Sequence, residues 1–202
     1  MKLFLCLLLL VSLQAHAQLI VSFSGGNPVS AGPGTAGYEF TEGALPQIIQ
    51  SLGVWDESGS GLTASHTVGI WDFTTQTLLA SATVVPATAT DLGGFWYQAL
   101  AAPLTLQANH SYAIGAQYAD VDFDLARANV PTVTTSTSIT LGDALLSTSS
   151  GFAFPDLNVS LADRGFFGPN ASTIAVPEPR RGGLVIGLAL VAFLVVTAQS
   201  RR

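Results

Sequence analysis

The sequence predicts an all-β protein, a single antiparallel β-sandwich of the jelly-roll or immunoglobulin-like kind. Three observations predict it. Apolar side chains between residues 18 and 175 recur with a period of two, the spacing that lines one face of a strand. Clusters of Gly, Ser, Thr and Asn punctuate these runs at short intervals, as in sandwiches and barrels. No amphipathic helix with capping residues interrupts them.

Taken in order, Ile48, Leu52 and Val54 predict one face of a strand, with Gln50 as the polar exception. The turn Ser58-Gly59-Ser60-Gly61 follows. Val68 and Ile70 then share a face, with Thr67 and Gly69 opposite. After Thr74-Thr75-Gln76, the residues Leu78, Ala80, Ala82 and Val84 alternate with Leu79, Ser81, Thr83 and Val85. Gly93-Gly94 marks a further turn, and Ala108-Asn109-His110 another. Tyr112, Ile114, Ala116 and Tyr118 alternate with Ser111, Ala113, Gly115 and Gln117. Residues 131–150 are rich in Thr and Ser, and predict either one long polar edge strand or a surface loop. Gly53-Val54-Trp55-Asp56 recurs as Gly69-Ile70-Trp71-Asp72, which predicts adjacent strands with similar end chemistry.

Of 202 residues, 49% are hydrophobic and 10% are charged. The charged share is far below the ~25% of an ordinary soluble domain. Seven Lys and Arg stand against 13 Asp and Glu, which excludes a basic nucleic-acid surface. Residues 18–176 hold twelve acidic groups and two bases, Arg127 and Arg164, for a net charge near −10. Such a surface repels acidic polymers and attracts cations.

The two ends explain much of the apolar excess. Lys2, the run Leu3–Leu13 and Ala15-His16-Ala17 read as a secretory signal peptide over residues 1–17, cut by signal peptidase after Ala17 at an A-x-A site. Cleavage removes Cys6, the one cysteine, and with it disulfide and thiol chemistry. At the other end Gly182–Ala198 is a charge-free apolar run between Arg180-Arg181 and Arg201-Arg202. Seventeen residues make a helix of roughly 25 Å, near the lower limit for one membrane crossing. The signal peptide sends the middle segment across the membrane first and leaves Arg201-Arg202 in the cytoplasm.

Val176-Pro177-Glu178-Pro179 immediately precedes this run. Each proline fixes φ and removes a backbone donor, so the motif stays extended outside the helix. The order VPEP, apolar helix, terminal arginines resembles the PEP-CTERM sorting signal of exported proteins in Gram-negative bacteria that make exopolysaccharide. The resemblance covers residues 176–202. It implies recognition and processing near Pro177, Glu178 and Pro179 by exosortase, a membrane cysteine protease–transpeptidase. It also implies an inner-membrane tether facing the periplasm, then transfer to the cell surface or an exopolysaccharide matrix. Arg180-Arg181 directly after the motif departs from the usual pattern.

Residues 19–174 resemble an exported bacterial domain family known mainly as a domain of unknown function. The matching stretches are Gly37–Phe40, Leu52–Asp56, His66–Asp72, Leu78–Ala82, Gly94–Tyr97, Tyr112–Ala116 and Gly165–Asn170. The resemblance implies a β-sandwich and supplies no activity.

Catalytic patterns are few. After signal cleavage the histidines are His66 and His110, both expected in structural or surface roles. Neither G-x-S-x-G nor H-E-x-x-H occurs. The expectation is a non-enzymatic protein; a carbohydrate- or Ca2+-binding module is the alternative, and a secreted polysaccharide hydrolase a third reading. Asp120, Asp122 and Asp124 at alternate positions are the candidate Ca2+ ligands, against the plainer reading of a solvated acidic strand end. Trp55 and Trp71 are the candidate sugar platform, against a purely structural use of both rings.

Overall fold

The computed structural model describes residues 20–136, 139–162 and 165–173. The signal peptide with Ala15 and Ala17, and the tail with Val176, Pro177, Glu178, Pro179, Arg201 and Arg202, lie outside the described residues. Among the described residues no helix is long and apolar enough to cross a membrane.

The chain runs through β1 (Val21–Ser24), β2 (Asn27–Val29), β3 (Gly34–Glu42), β4 (Gln47–Trp55), β5 (His66–Asp72), β6 (Leu78–Val84) and β7 (Thr90–Leu92). It continues through β8 (Phe95–Leu106), β9 (Ser111–Tyr118), β10 (Ala126–Ala128), β11 (Thr132–Thr135), β12 (Ile139–Leu146), β13 (Leu157–Val159) and β14 (Pro169–Ser172). A six-stranded sheet has the order β13-β12-β3-β9-β5-β6, and a four-stranded sheet the order β14-β4-β8-β7. Two short pairs, β1 with β11 and β10 with β2, complete the set. Every pairing is antiparallel. β4 and β8 lie against β5 and β6, so the larger sheets enclose a common core. Tyr38, Phe40, Ile70 and Ile114 from one sheet meet Ile49, Leu52 and Val54 from the other. This all-β arrangement of antiparallel sheets is consistent with a β-sandwich.

Period-two reading holds where ladders are regular. Tyr112, Ile114, Ala116 and Tyr118 of β9 all point inward, as do Val68 and Ile70 of β5. It fails at β4. Ile48 is 52% exposed, whereas Ile49 is fully buried. The register with β8 jumps between Ile49 and Ser51, from Leu104 to Ala99. This bulge resets which side chains face the core. The polar stretch 131–150 is likewise neither an edge strand nor a loop throughout. It forms β11 and then β12, which is paired on both sides; Ile139 and Ala144 face the core, and Leu145 is buried on the opposite face.

β9 also buries its second face: Ala113 is fully buried. The outer side of the six-stranded sheet is roofed by aromatic rings. Trp71 packs 5.1 Å from Phe152 and 6.4 Å from Phe154. Gly69 makes this roof possible, since a Cβ there would stand 2.7 Å from the Phe152 ring and 2.8 Å from that of Trp71. The two tryptophans of the echoed motif therefore belong to different sheets, Trp55 to β4 and Trp71 to β5.

Candidate functional site

The chemistry-bearing residues gather where β4 ends, β5 begins and β9 ends. β9 delivers Tyr118, and the loop 119–125 follows, carrying Asp120, Asp122 and Asp124. This loop is not a regular strand, and Asp120 does not join the side on which Asp122 and Asp124 lie. Asp120 is exposed and stands apart, while Asp124 is buried. The candidate ligand set Asp120, Asp122 and Asp124 thus does not converge. Asp122 and Asp124 converge instead with His66 of β5, their ligand-type atoms lying within 4.8 Å of one another.

Hydrogen bonding defines what this group does. Asp122 accepts from the N–H groups of Ala119, at 3.1 Å, and Asp124, at 3.0 Å, which fixes the turn of the loop. Asp124 reaches down into the body. Its Oδ2 accepts from Thr63 N–H at 2.8 Å, Thr63 Oγ1 at 3.0 Å and Ala64 N–H at 3.0 Å. The His66 Nε2 lies 3.0 Å from the same oxygen. His66 Nδ1 lies 3.0 Å from the Gln117 carbonyl oxygen, which can only accept, so Nδ1 carries a proton. His66 and Asp124 form a buried hydrogen-bonded pair, each side chain 1% exposed.

A metal must be weighed against this bonding. Ca2+ seeks six to eight oxygens. The group offers two carboxylates and a nitrogen, and Asp124 Oδ2 is already filled by donors, so Ca2+ does not fit. One nitrogen and two oxygens suit a Zn2+-like ion better, yet both ring nitrogens are spent on acceptors.

A second carboxylate organises the neighbouring loop. Asp56 accepts from the N–H groups of Ser58, Gly59 and Gly61, from Ser58 Oγ and from Trp96 Nε1. Burial alone pushes its carboxyl up, but these donors outweigh it and hold it below the ordinary value. Glu57 makes a two-pronged contact with Arg127, at 2.6 Å in each arm, and accepts from Trp55 Nε1 at 3.0 Å. Arg127 also donates to the Gly25 and Gly26 carbonyls. Trp55 is wedged between Phe23, at 4.7 Å, and Phe95, at 5.2 Å. Trp71 is 3% exposed and presents no open face to a sugar. The fold thus buries Trp71 and leaves Trp55 half-buried in another sheet, so the two rings do not form one platform.

At the opposite end of β5, His110 Nε2 lies 2.6 Å from Asp72 Oδ2. The Thr75 N–H and the His110 ring hold the Asp72 carboxyl down at about 2. The Thr148 N–H and hydroxyl lower Asp156 in the same way. For each such carboxyl the unfolded chain binds the proton first on acidification. Its stabilisation is complete above the unfolded value of about 4 and is lost as pH falls through the folded value. Unfolding midpoints measured across acid pH are expected to drop between about pH 4 and pH 2. Asp72→Asn should flatten that drop, and an unchanged slope would remove Asp72 from the account.

Sequence reasoning expected a structural or surface histidine at His66 but did not foresee its pairing with Asp124. Its partner lies 58 residues away, and no local pattern announces a histidine aimed at a distant loop. No family model matches the chain, and no curated protein matches it.

Proposed function

We propose that the chain is an exported, non-enzymatic protein of the Gram-negative envelope, a single β-sandwich module held at the inner membrane by its tail and released to the surface or matrix by exosortase. The observation that carries this reading is the ordered tail: Val176-Pro177-Glu178-Pro179, the apolar run Gly182–Ala198, then Arg201-Arg202. A secretory leader at residues 1–17 supplies the export step that such a tail requires. The jelly-roll or immunoglobulin-like class of the sandwich is part of the proposal. The bonding of the described residues supports a scaffold role for their ionisable groups. His66 spends both ring nitrogens on Gln117 and Asp124, and His110 spends Nε2 on Asp72. Asp56 and Asp124 spend their oxygens on loop amides.

Intact mass of the protein recovered from cells tests the sorting step. Without exosortase the expected mass is that of residues 18–202. With the enzyme, the expected product has lost the residues beyond the Pro177–Pro179 motif. A full-length mass in both strains would contradict processing, and retention of residues 1–17 would contradict export.

A further inference from the structure

The loop 119–124 turns its polarity inside out. Asp122 and Asp124 point into hydrogen bonds, whereas Val121 is 76% and Phe123 72% exposed. These side chains are not left outside by a slack loop. Asp124 is tied to Thr63, Ala64 and His66, and Asp122 ties off the turn above it. The anchoring of residues 122 and 124 forces residues 121 and 123 outward, and Asp120 stands exposed beside them. Val121 and Phe123 thus form a small exposed apolar tip, held in place by the bonds beneath it.

Its size, charge and place select the partner. One phenylalanine offers on the order of 150 Å² of ring surface, against the roughly 800 Å² per side of a standard protein interface. The tip matches a single sugar ring, whose C–H face lies against the negative face of an aromatic. Asp120 can accept from a neighbouring hydroxyl or amino group. Among the described residues Arg127 is the one Lys or Arg, and Glu57, Gly25 and Gly26 engage it. The surrounding field is therefore acidic and repels anionic chains. β14 runs antiparallel to β4, with Ser172 opposite Ser51, so the chain leaves toward the start of β4. The 119–124 loop, bonded to Thr63 and Ala64 beyond the end of β4, sits at the other pole.

We infer that Phe123, Val121 and Asp120 form a contact site for polysaccharide chains that carry free amino groups, with Phe123 stacking on a sugar ring and Asp120 pairing with the amine. This deepens the matrix association in the proposed function and rests on that destination, but the binding assay itself does not depend on sorting. Repetition along the polymer would multiply a weak single contact. The test is titration of the full chain in non-ionic detergent with oligomers of glucosamine, of N-acetylglucosamine and of galacturonate. Glucosamine oligomers are expected to bind best. Phe123→Ala should weaken them about fivefold or more, and the loss should persist at high salt, where diffuse attraction is screened. Asp120→Asn should erase the preference over the acetylated oligomer. Because Phe123 is exposed, the unfolding midpoint of the Phe123→Ala protein should match the parent. Equal affinity in the parent and Phe123→Ala proteins would leave only diffuse charge and overturn the site. So would preference for galacturonate, or no binding of glucosamine oligomers. Failure here with normal tail processing would leave the sorting proposal standing.

Discussion

Replacing Asp124 by asparagine is expected to destabilise the domain by about 3–5 kcal/mol, the cost of leaving several buried hydrogen-bonding groups without their carboxylate partner. Asp124 is 1% exposed and receives four donors at one oxygen. An amide of the same shape keeps the volume but removes the charge that the His66 ring faces. It also turns an NH2 group toward donors at one of its two positions. His66→Ala should cost less, because Asp124 keeps its bonds to Thr63 and Ala64 after the ring is gone. Denaturant unfolding of the three proteins measures both effects. The double variant separates the pair from its context, since coupled neighbours are not additive. A loss below about 1 kcal/mol for Asp124→Asn would mean that the pair adds no more than a surface contact. The same variant should loosen the loop that carries Val121 and Phe123, so amide exchange at residues 119–124 should quicken with the stability loss.

The strands were legible in the sequence where one ladder runs unbroken. β9 shows this, because it pairs without a register shift on both sides and its inward residues keep strict alternation. β4 was misread at Ile48 because a bulge is a property of two strands: the extra residues lie in β8, between Ala99 and Leu104. β12 was hidden by the Thr and Ser content of its surroundings, although Ile139 and Ala144 turn to the core. The acidic run at Asp120–Asp124 was visible in the sequence, but not that Asp122 and Asp124 would meet His66 while Asp120 stays outside the group, because that depends on a long-range contact across the fold. The two tryptophans were visible as a repeat, but only the sheet order shows that Trp55 and Trp71 belong to different layers.

Removing residues 176–202 is expected to change the protein's location completely. The run Gly182–Ala198 contains ten Leu, Ile, Val and Phe residues and no charge. On an insertion scale those ten favour the membrane by roughly 3–6 kcal/mol, reduced by the glycines and Thr197. An exported domain with net charge near −10 has no comparable affinity for lipid of its own. β14, the last described strand, closes at Ser172, so truncation after Ala175 leaves every described strand intact.

Alkaline extraction of membranes from cells lacking exosortase tests the tether most directly. The full chain should stay in the membrane pellet while the chain ending at Ala175 appears folded in the periplasmic fraction. If the full chain is extracted into the soluble fraction, or the two chains partition alike, the apolar run is not a membrane anchor and the account of an exported, tethered module is contradicted.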